Sequence, residues 1–196
     1  VDGFLGARVR NDEHRFQDKF EGPSLLASWQ WPRQMAPRFT VAKGELILRG
    51  ENKKDPFASV IGHSTTTGDY LASVDIKVGS HQPGTSAGLA AYGESGNSIG
   101  VHVIGKDVVL IQRLGGKDTE LARWLLRNDA DLVTLRMQAR RGHTFKFSFK
   151  AGAEDRPIGH EVNGERLPPW DLGIRVALTA SNGEARFSNF VVEPVR

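Results

Sequence analysis

Cysteine is absent from this 196-residue chain. That removes disulfides, thiolate metal sites and a cysteine nucleophile. Apolar runs of the ~18–20 residues needed to cross a bilayer are also lacking, so neither a transmembrane segment nor a membrane partner is expected. No charge of one sign dominates: 26 Lys and Arg stand against 23 Asp and Glu, for a formal charge of +3. Nucleic-acid binders gather basic residues into a stripe; here they are dispersed, and no nucleic-acid partner is expected. The six histidines form neither His-x-x-x-His nor His-Glu-x-x-His, so no transition-metal motif is present. His102, between two valines, reads as an ordinary strand residue. The opening "VDGFLGARVRNDE" has no charged-then-apolar leader pattern and no starting Met. Residues 1–13 are therefore expected to be a linker or N-terminal extension, left by a removed leader or belonging to a longer chain. The compartment stays open between secreted, periplasmic and cytoplasmic.

Glycine is plentiful at 22, and with nine prolines it punctuates short apolar runs. Such spacing is the signature of an all-β chain. In "YLASVDIKVGS", Ala72, Val74, Ile76 and Val78 share one face, with Ser73, Asp75 and Lys77 on the other. "LVTLRMQARRGHTFKFSFKAG" reads as a hairpin whose apolar face carries Val133, Leu135, Met137, Ala139, Phe145, Phe147 and Phe149. Pairing Ala139 with His143 leaves a loop of Arg140, Arg141 and Gly142. It also sets Arg136 opposite Lys146 on the polar face. The segment 118–127 is ambiguous. Leu121, Trp124 and Leu125 fall at helical spacing behind a possible Asp118 cap, while the flanking strands favour a strand. With no linker visible after residue 14, residues 14–196 read as a single β-sandwich domain of two antiparallel sheets.

The stretch "FQDKFEGPSLLASWQWPR" followed by "FTVAKGELILRG" adds a motif series. It holds Asp18, Phe20, Gly22, Leu25, Trp29, Trp31, Gly44, Leu46 and Leu48 in the order Asp-x-Phe-x-Gly-x-x-Leu, Trp-x-Trp, Gly-x-Leu-x-Leu. This resembles the start of the C-terminal concanavalin A-like jelly-roll β-sandwich of family-43 glycoside hydrolases, the β-xylosidase and arabinofuranosidase group. "SAGLAAYG", through Ala87, Gly88, Leu89 and Tyr92, is similar to that family's Ala-Gly-Leu-x-x-Tyr strand. The long hairpin and the final "ARFSNFVVE" resemble its later strands. The likeness spans residues 14 to 193. Two departures stand out. Ser188 and Asn189 replace a frequent Asp, and Phe145, Phe147 and Phe149 replace a Tyr-x-Phe-x-Tyr pattern.

The resemblance implies a sandwich that packs against a five-bladed propeller carrying the catalytic carboxylates and that can cap the propeller's sugar pocket. The expected function is a non-catalytic accessory domain of a glycoside hydrolase acting on plant polysaccharide. It would bind xylan- or arabinan-type oligosaccharide or complete the catalytic pocket. The alternative is a free-standing hydrolase on the same fold. Glycosidases use two carboxyl groups ~5–10 Å apart, and no Glu-x-Asp-x-x-Glu string occurs here. A non-standard pair would be Asp75 with Glu161 or Asp171; a solvated or hydrogen-bonded acid is the plainer reading of each. The clusters "NDADL" and "GAEDRP" read as turns. Trp31 and Arg33, where the chain leaves regular structure, Tyr92, Arg136 and Trp170 are the candidate carbohydrate contacts, since aromatic faces stack on sugar rings. Trp29 reads as core. Arg136 belongs to a polar face with Gln138, Ser148, Arg175 and Thr179 nearby. Asp18 and Glu21, beside a Gly-Pro turn, are the expected ligands of a structural calcium.

Overall fold

A computed structural model describes residues 15–51, 54–127, 130–167 and 173–195. Alternating apolar and polar residues build strands throughout. In chain order they are β1 (Phe16–Asp18), β2 (Trp29–Gln30), β3 (Arg38–Ala42), β4 (Glu45–Gly50), β5 (Ser59–Ser64), β6 (Tyr70–Lys77), β7 (Ser86–Glu94) and β8 (Asn97–Ile104). Then follow β9 (Asp107–Leu114), β10 (Lys117–Leu125), β11 (Leu132–Arg140), β12 (Thr144–Ala151), β13 (Glu154–Asn163), β14 (Arg175–Ser181) and β15 (Gly183–Pro194). One sheet runs β13-β12-β11-β6-β15-β4-β3, with β1 also on β15; the other runs β10-β9-β8-β7-β14-β5-β2. The sheets face one another in the concanavalin A-like sandwich.

The period-2 pattern decides the inner faces. On β6, Tyr70, Ala72, Val74 and Ile76 are buried, and on β11 and β12 so are Val133, Leu135, Met137, Phe145, Phe147 and Phe149. They meet Leu89, Val101, Leu110 and Leu178 of the opposite sheet in one core. Each such large side chain contributes ~1.5–3 kcal/mol on burial.

The hairpin keeps its predicted faces but not its register. Ala139 pairs with Phe145 and Arg140 with Thr144. The turn is Arg141, Gly142 and His143, with both Arg141 and Gly142 at positive φ. Arg136 therefore stands opposite Ser148 and ion-pairs with Asp155 at 2.8 Å, while Lys146 reaches Glu161 at 3.4 Å. The expected like-charge opposition does not arise, because a shift of two residues preserves each face and changes only the partner.

The segment 118–127 is strand: β10 pairs with β9 from Lys117 to Leu125. Asp118 takes Arg113 rather than capping a helix. Trp124 donates to Glu154 and lies under the Arg156 guanidinium, which closes the open side between β10 and β13. Glu154 and Asp155, expected in a turn, thus begin a strand and anchor neighbouring elements.

The seven-stranded sheet is buried on its outer face as well. Val60, Ala90, Tyr92, Val109, Ile111 and Ala177 form a second apolar cluster there with Phe57. Two loop segments roof it. Met35 places its sulfur 4.0 Å from the Tyr92 hydroxyl, and Phe57 packs edge-on to His102 at 5.0 Å. His102 is wholly buried, and burial pushes its pKa down to about 3. Burial also lowers His63 and His81, each to about 4.

A histidine kept neutral in the fold is protonated first in the unfolded chain. Stability is unaffected well above the ordinary pKa of 6.5 and falls as pH drops from there toward 4. For His102 alone the loss at pH 5 is about 2 kcal/mol. Thermal melts between pH 7.5 and pH 4.5 (roughly one pH unit beyond the window on the neutral side) should show a falling Tm. Substitution His102→Gln should flatten that slope; an unchanged slope would overturn the assignment.

Candidate functional site

At one end of the sandwich, four loops enclose a cleft of about 460 Å³. Its walls include Thr65, Thr66 and Thr67 after β5, His143 in the β11–β12 turn, Glu165 after β13 and Arg175 at the start of β14. Backbone bonds tie these loops together. Gly142 N donates to Gly68 O at 2.8 Å, Arg141 N to Asp69 Oδ1 at 2.9 Å and Gly164 N to His143 O at 2.6 Å. A Cβ on Gly68 would stand 2.9 Å from Gly142 N, so only glycine allows this approach. His143 Nε2 lies 3.5 Å from Glu165. Arg175 is held by Gly173 O at 2.6 Å and Gln30 Oε1 at 3.1 Å. Among the described lining residues Glu165 is the only carboxylate. The cleft therefore offers hydroxyls, a guanidinium, an imidazole and one acid.

A smaller cleft of about 340 Å³ adjoins it, lined by Arg33, Met35, Tyr92 and Glu94 among others. Tyr92 and Arg175 are register partners on β7 and β14, so the two clefts share that row. The structure thus brings Arg33 and Tyr92 together. Trp31, one residue before Pro32 on the rim, is 37% exposed, its ring 5.9 Å from Phe39. Tyr92 is fully buried, and burial raises its pKa to about 12. It supports the floor and presents no face for stacking. Trp29 is core, as expected. Trp170 lies outside the described residues; its segment joins Leu167 to Gly173, both of which line the larger cleft.

Arg136 belongs elsewhere, on the outer face of the eight-stranded sheet with Gln138 and Ser148. Arg175 and Thr179, expected beside it, lie on β14 in the other sheet, because β14 pairs with β5 and β7. The sequence does not single out the three threonines or His143, and it gives Arg175 only as a neighbour of Arg136. "STTTGD" reads as a strand ending, and nothing local says that four loops meet there.

The suggested acid pairs do not assemble among the described residues. Asp75 accepts from Thr134 at 2.6 Å and from Asn189 at 2.9 Å. Glu161 is on β13, three strands from β6. Three strand spacings are about 14 Å, beyond the ~5–10 Å that glycoside hydrolysis uses. Asp171 lies outside the described residues.

Of the two expected calcium ligands, Asp18 has a structural task in the fold. Asp18 is buried; its Oδ1 accepts from Phe20 N at 2.7 Å and its Oδ2 from Trp29 Nε1 at 2.8 Å. Phe20 sits at φ 54, a strained value for an aromatic residue that this carboxylate secures. Glu21 is exposed, and no group of three or more His, Asp or Glu suited to a metal occurs among the described residues. Each Asp18 oxygen thus accepts one N–H of its own chain, a structural role independent of the expected calcium. Asp18→Ala, which strands two N–H donors, should cost about 2–3 kcal/mol in denaturant unfolding. Millimolar calcium should leave the wild-type Tm unchanged; a rise abolished by Asp18→Ala would make Asp18 a ligand after all.

Residues 17–192 match the family model described as the beta xylosidase C-terminal concanavalin A-like domain. No curated protein matches the chain. Among solved structures, xylan beta-1,4-xylosidase from Bacillus halodurans C-125 superposes with a TM-score of 0.74 at 20% identity, over 90% of this chain and 38% of that one. Bacteroides ovatus xyloglucan PUL GH43B gives 0.75 at 17% identity, over 91% and 39%. The carbohydrate binding module CBM66 from Bacillus subtilis gives 0.60 at 16% identity, over 85% and 95%. The chain thus spans about two-fifths of the two enzymes' length and nearly all of the binding module's. A family model that covers every strand apart from the first residue of β1 and the last two of β15 decides the matter: the chain belongs to the β-xylosidase C-terminal concanavalin A-like domain family.

Proposed function

We propose that this domain is a non-catalytic accessory module of a glycoside hydrolase acting on plant polysaccharide, and that its end cleft receives a xylan- or arabinan-type oligosaccharide. The observation that carries this reading is the lining itself. Three threonine hydroxyls, His143 and Arg175 surround a space with one carboxylate among the described residues. Such a set exchanges hydrogen bonds with sugar hydroxyls, and its described residues offer one acid where hydrolysis uses two.

The path of the chain supports a second aspect, completion of a catalytic domain's pocket. Arg15, just ahead of β1, lines a small recess with the same three threonines, and Val195 N donates to Asp69 O at 3.0 Å at this end. A propeller joined ahead of β1 would therefore enter beside the cleft, facing its sugar to the threonines. The outer face of the eight-stranded sheet is a poorer candidate, because its charges are already paired in Arg136–Asp155 and Lys146–Glu161.

The test is a tryptophan-fluorescence titration with xylo- and arabino-oligosaccharides, each sample also assayed for released sugar. A saturable change without hydrolysis is expected, weakened about tenfold in Arg175→Ala, the equivalent of one charge-assisted hydrogen bond. Sugar release abolished by one acid substitution would replace this reading with the free-standing hydrolase. Binding untouched by Arg175→Ala and Thr67→Ala would move the site away from the cleft.

A further inference from the structure

The outer face of the seven-stranded sheet holds a polar floor that the end cleft does not use. His102 on β8 and Thr179 on β14 flank Gly88 of β7 as register partners. Both residues are completely buried, and His102 Nε2 and Thr179 Oγ1 have no hydrogen-bond partner. The glycines beneath make the floor. A Cβ at Gly88 would stand 2.4 Å from His102 Nδ1 and 2.5 Å from Thr179 Oγ1. One at Gly100 would stand 2.8 Å from His102 Nε2 and 3.2 Å from Phe57 Cε1. The unsatisfied nitrogen and the phenylalanine edge thus converge over Gly100. Whichever tautomer His102 adopts, Ser86 Oγ at 3.3 Å meets only its Nδ1, and the apolar ring of Phe57 gives Nε2 nothing.

Phe57 reaches this position on a short turn. Phe57 N donates to Asp55 Oδ1 at 2.9 Å and Ala58 N to Asp55 O at 3.0 Å. Arg113 pins the turn from outside, 2.8 Å from Asp55, paired with Asp118 at 2.6 Å and 4.9 Å from the Phe57 ring centre. Beside the covered floor an open cleft of about 310 Å³ reaches solvent, with Ser86, Ser181, Asp118 and Glu120 in its walls. Ser86 belongs to both spaces.

We infer that the 54–58 turn is a displaceable cover and that the floor beneath it is a second saccharide site, with Phe57 occupying the place of one sugar ring. The chemistry selects the ligand. Arg113 is balanced by Asp55 and Asp118, and at the mouth Lys54 stands with Asp118 and with Glu120, itself paired with Arg123, so charges of both signs balance and neither an anion nor a cation is favoured. Among the described residues no carboxylate lies on the floor to hold a cation, and buried His102 is neutral. Uncharged hydroxyls satisfy what remains: one imidazole nitrogen, Thr179 and the two serines, beside the apolar Ile104 and Ile111. Because the cover must leave first, the apparent affinity is reduced by the fraction of open molecules. This site shares no residue with the end cleft and does not rest on the function proposed for it.

The decisive comparison is calorimetric titration of the whole chain with xylotetraose and arabinotetraose. Removing the plug in Phe57→Ala should tighten binding of at least one by about tenfold or more. Adding His102→Ala or Thr179→Val should abolish the gain, and adding Arg175→Ala should not. Asp55→Asn, which loosens the turn without opening a cavity, should raise amide exchange at Phe57 and Ala58 and give a smaller gain in the same direction. A folded Phe57→Ala chain with no gain, or a gain that survives loss of His102, overturns the proposal. If Phe57→Ala does not fold, the absence of any gain in Asp55→Asn overturns it. A gain that is lost only with Arg175 assigns the sugar to the end cleft and removes this site.

Discussion

In the strand Ser86–Glu94, side chains alternate between two faces, and neither face reaches water until Glu94. A sheet buried on one side needs a facing sheet; one buried on both needs a roof as well, because every strand then carries apolar residues in both registers. Here the roof is made of loops. The segment bearing Met35 lies over Tyr92 and the turn bearing Phe57 lies over His102. Loops bring backbone polar groups with them, which must be paired. Asp55 does so for its own turn, and Arg113 ties that turn to the sheet edge through Asp118. The glycines at 88 and 100 follow from the same demand, since the histidine ring needs their missing side chains.

The two outer faces have accordingly divided their roles. The eight-stranded sheet shows water an array of paired charges, in which Arg136, Lys146 and Lys77 each have a carboxylate within reach. Exposed pairs of this kind contribute little, ~0–1 kcal/mol each, and they keep the face soluble. The seven-stranded sheet encloses polar groups that lack partners, a costly arrangement unless something else meets them. Between the sheets, at one end, the connecting loops gather into the threonine-lined cleft. A rigid sandwich commonly carries its binding residues on such loops. Here the loops are stiffened by bonds among themselves, from Gly142 to Gly68 and from Gly164 to His143.

Much of the fold was legible before any coordinate. The alternation in "YLASVDIK" and in the Val133-to-Phe149 hairpin assigns both strands and their core faces, because the side-chain period of a strand is fixed at two. The motif series from Asp18 to Leu48 pointed to the sandwich family, and Trp29 to the core. Trp31, Arg33 and Tyr92 do gather near one end, yet Tyr92 lies beneath the surface. Loops folding back over a strand have no local signature, so its burial on the outward side was not visible. Asp18 was legible as an important acid; that it holds Trp29 and the strained Phe20 was not.

Composition and neighbours along the chain fix the class of structure, the strand faces, the glycine-punctuated turns and the absence of any thiol chemistry. Tertiary structure decided everything that depends on which strands lie side by side. It set the hairpin register two residues from the expected one, gave Arg136 an acid from β13, and placed Arg175 and Thr179 in the other sheet. It also put Asp75 and Glu161 three strands apart and drew residues 65–67, 143, 165 and 175 into one cleft. The physical reason is that strand order is chosen by burying the whole apolar surface at once, a condition on the entire chain that no short stretch of it expresses.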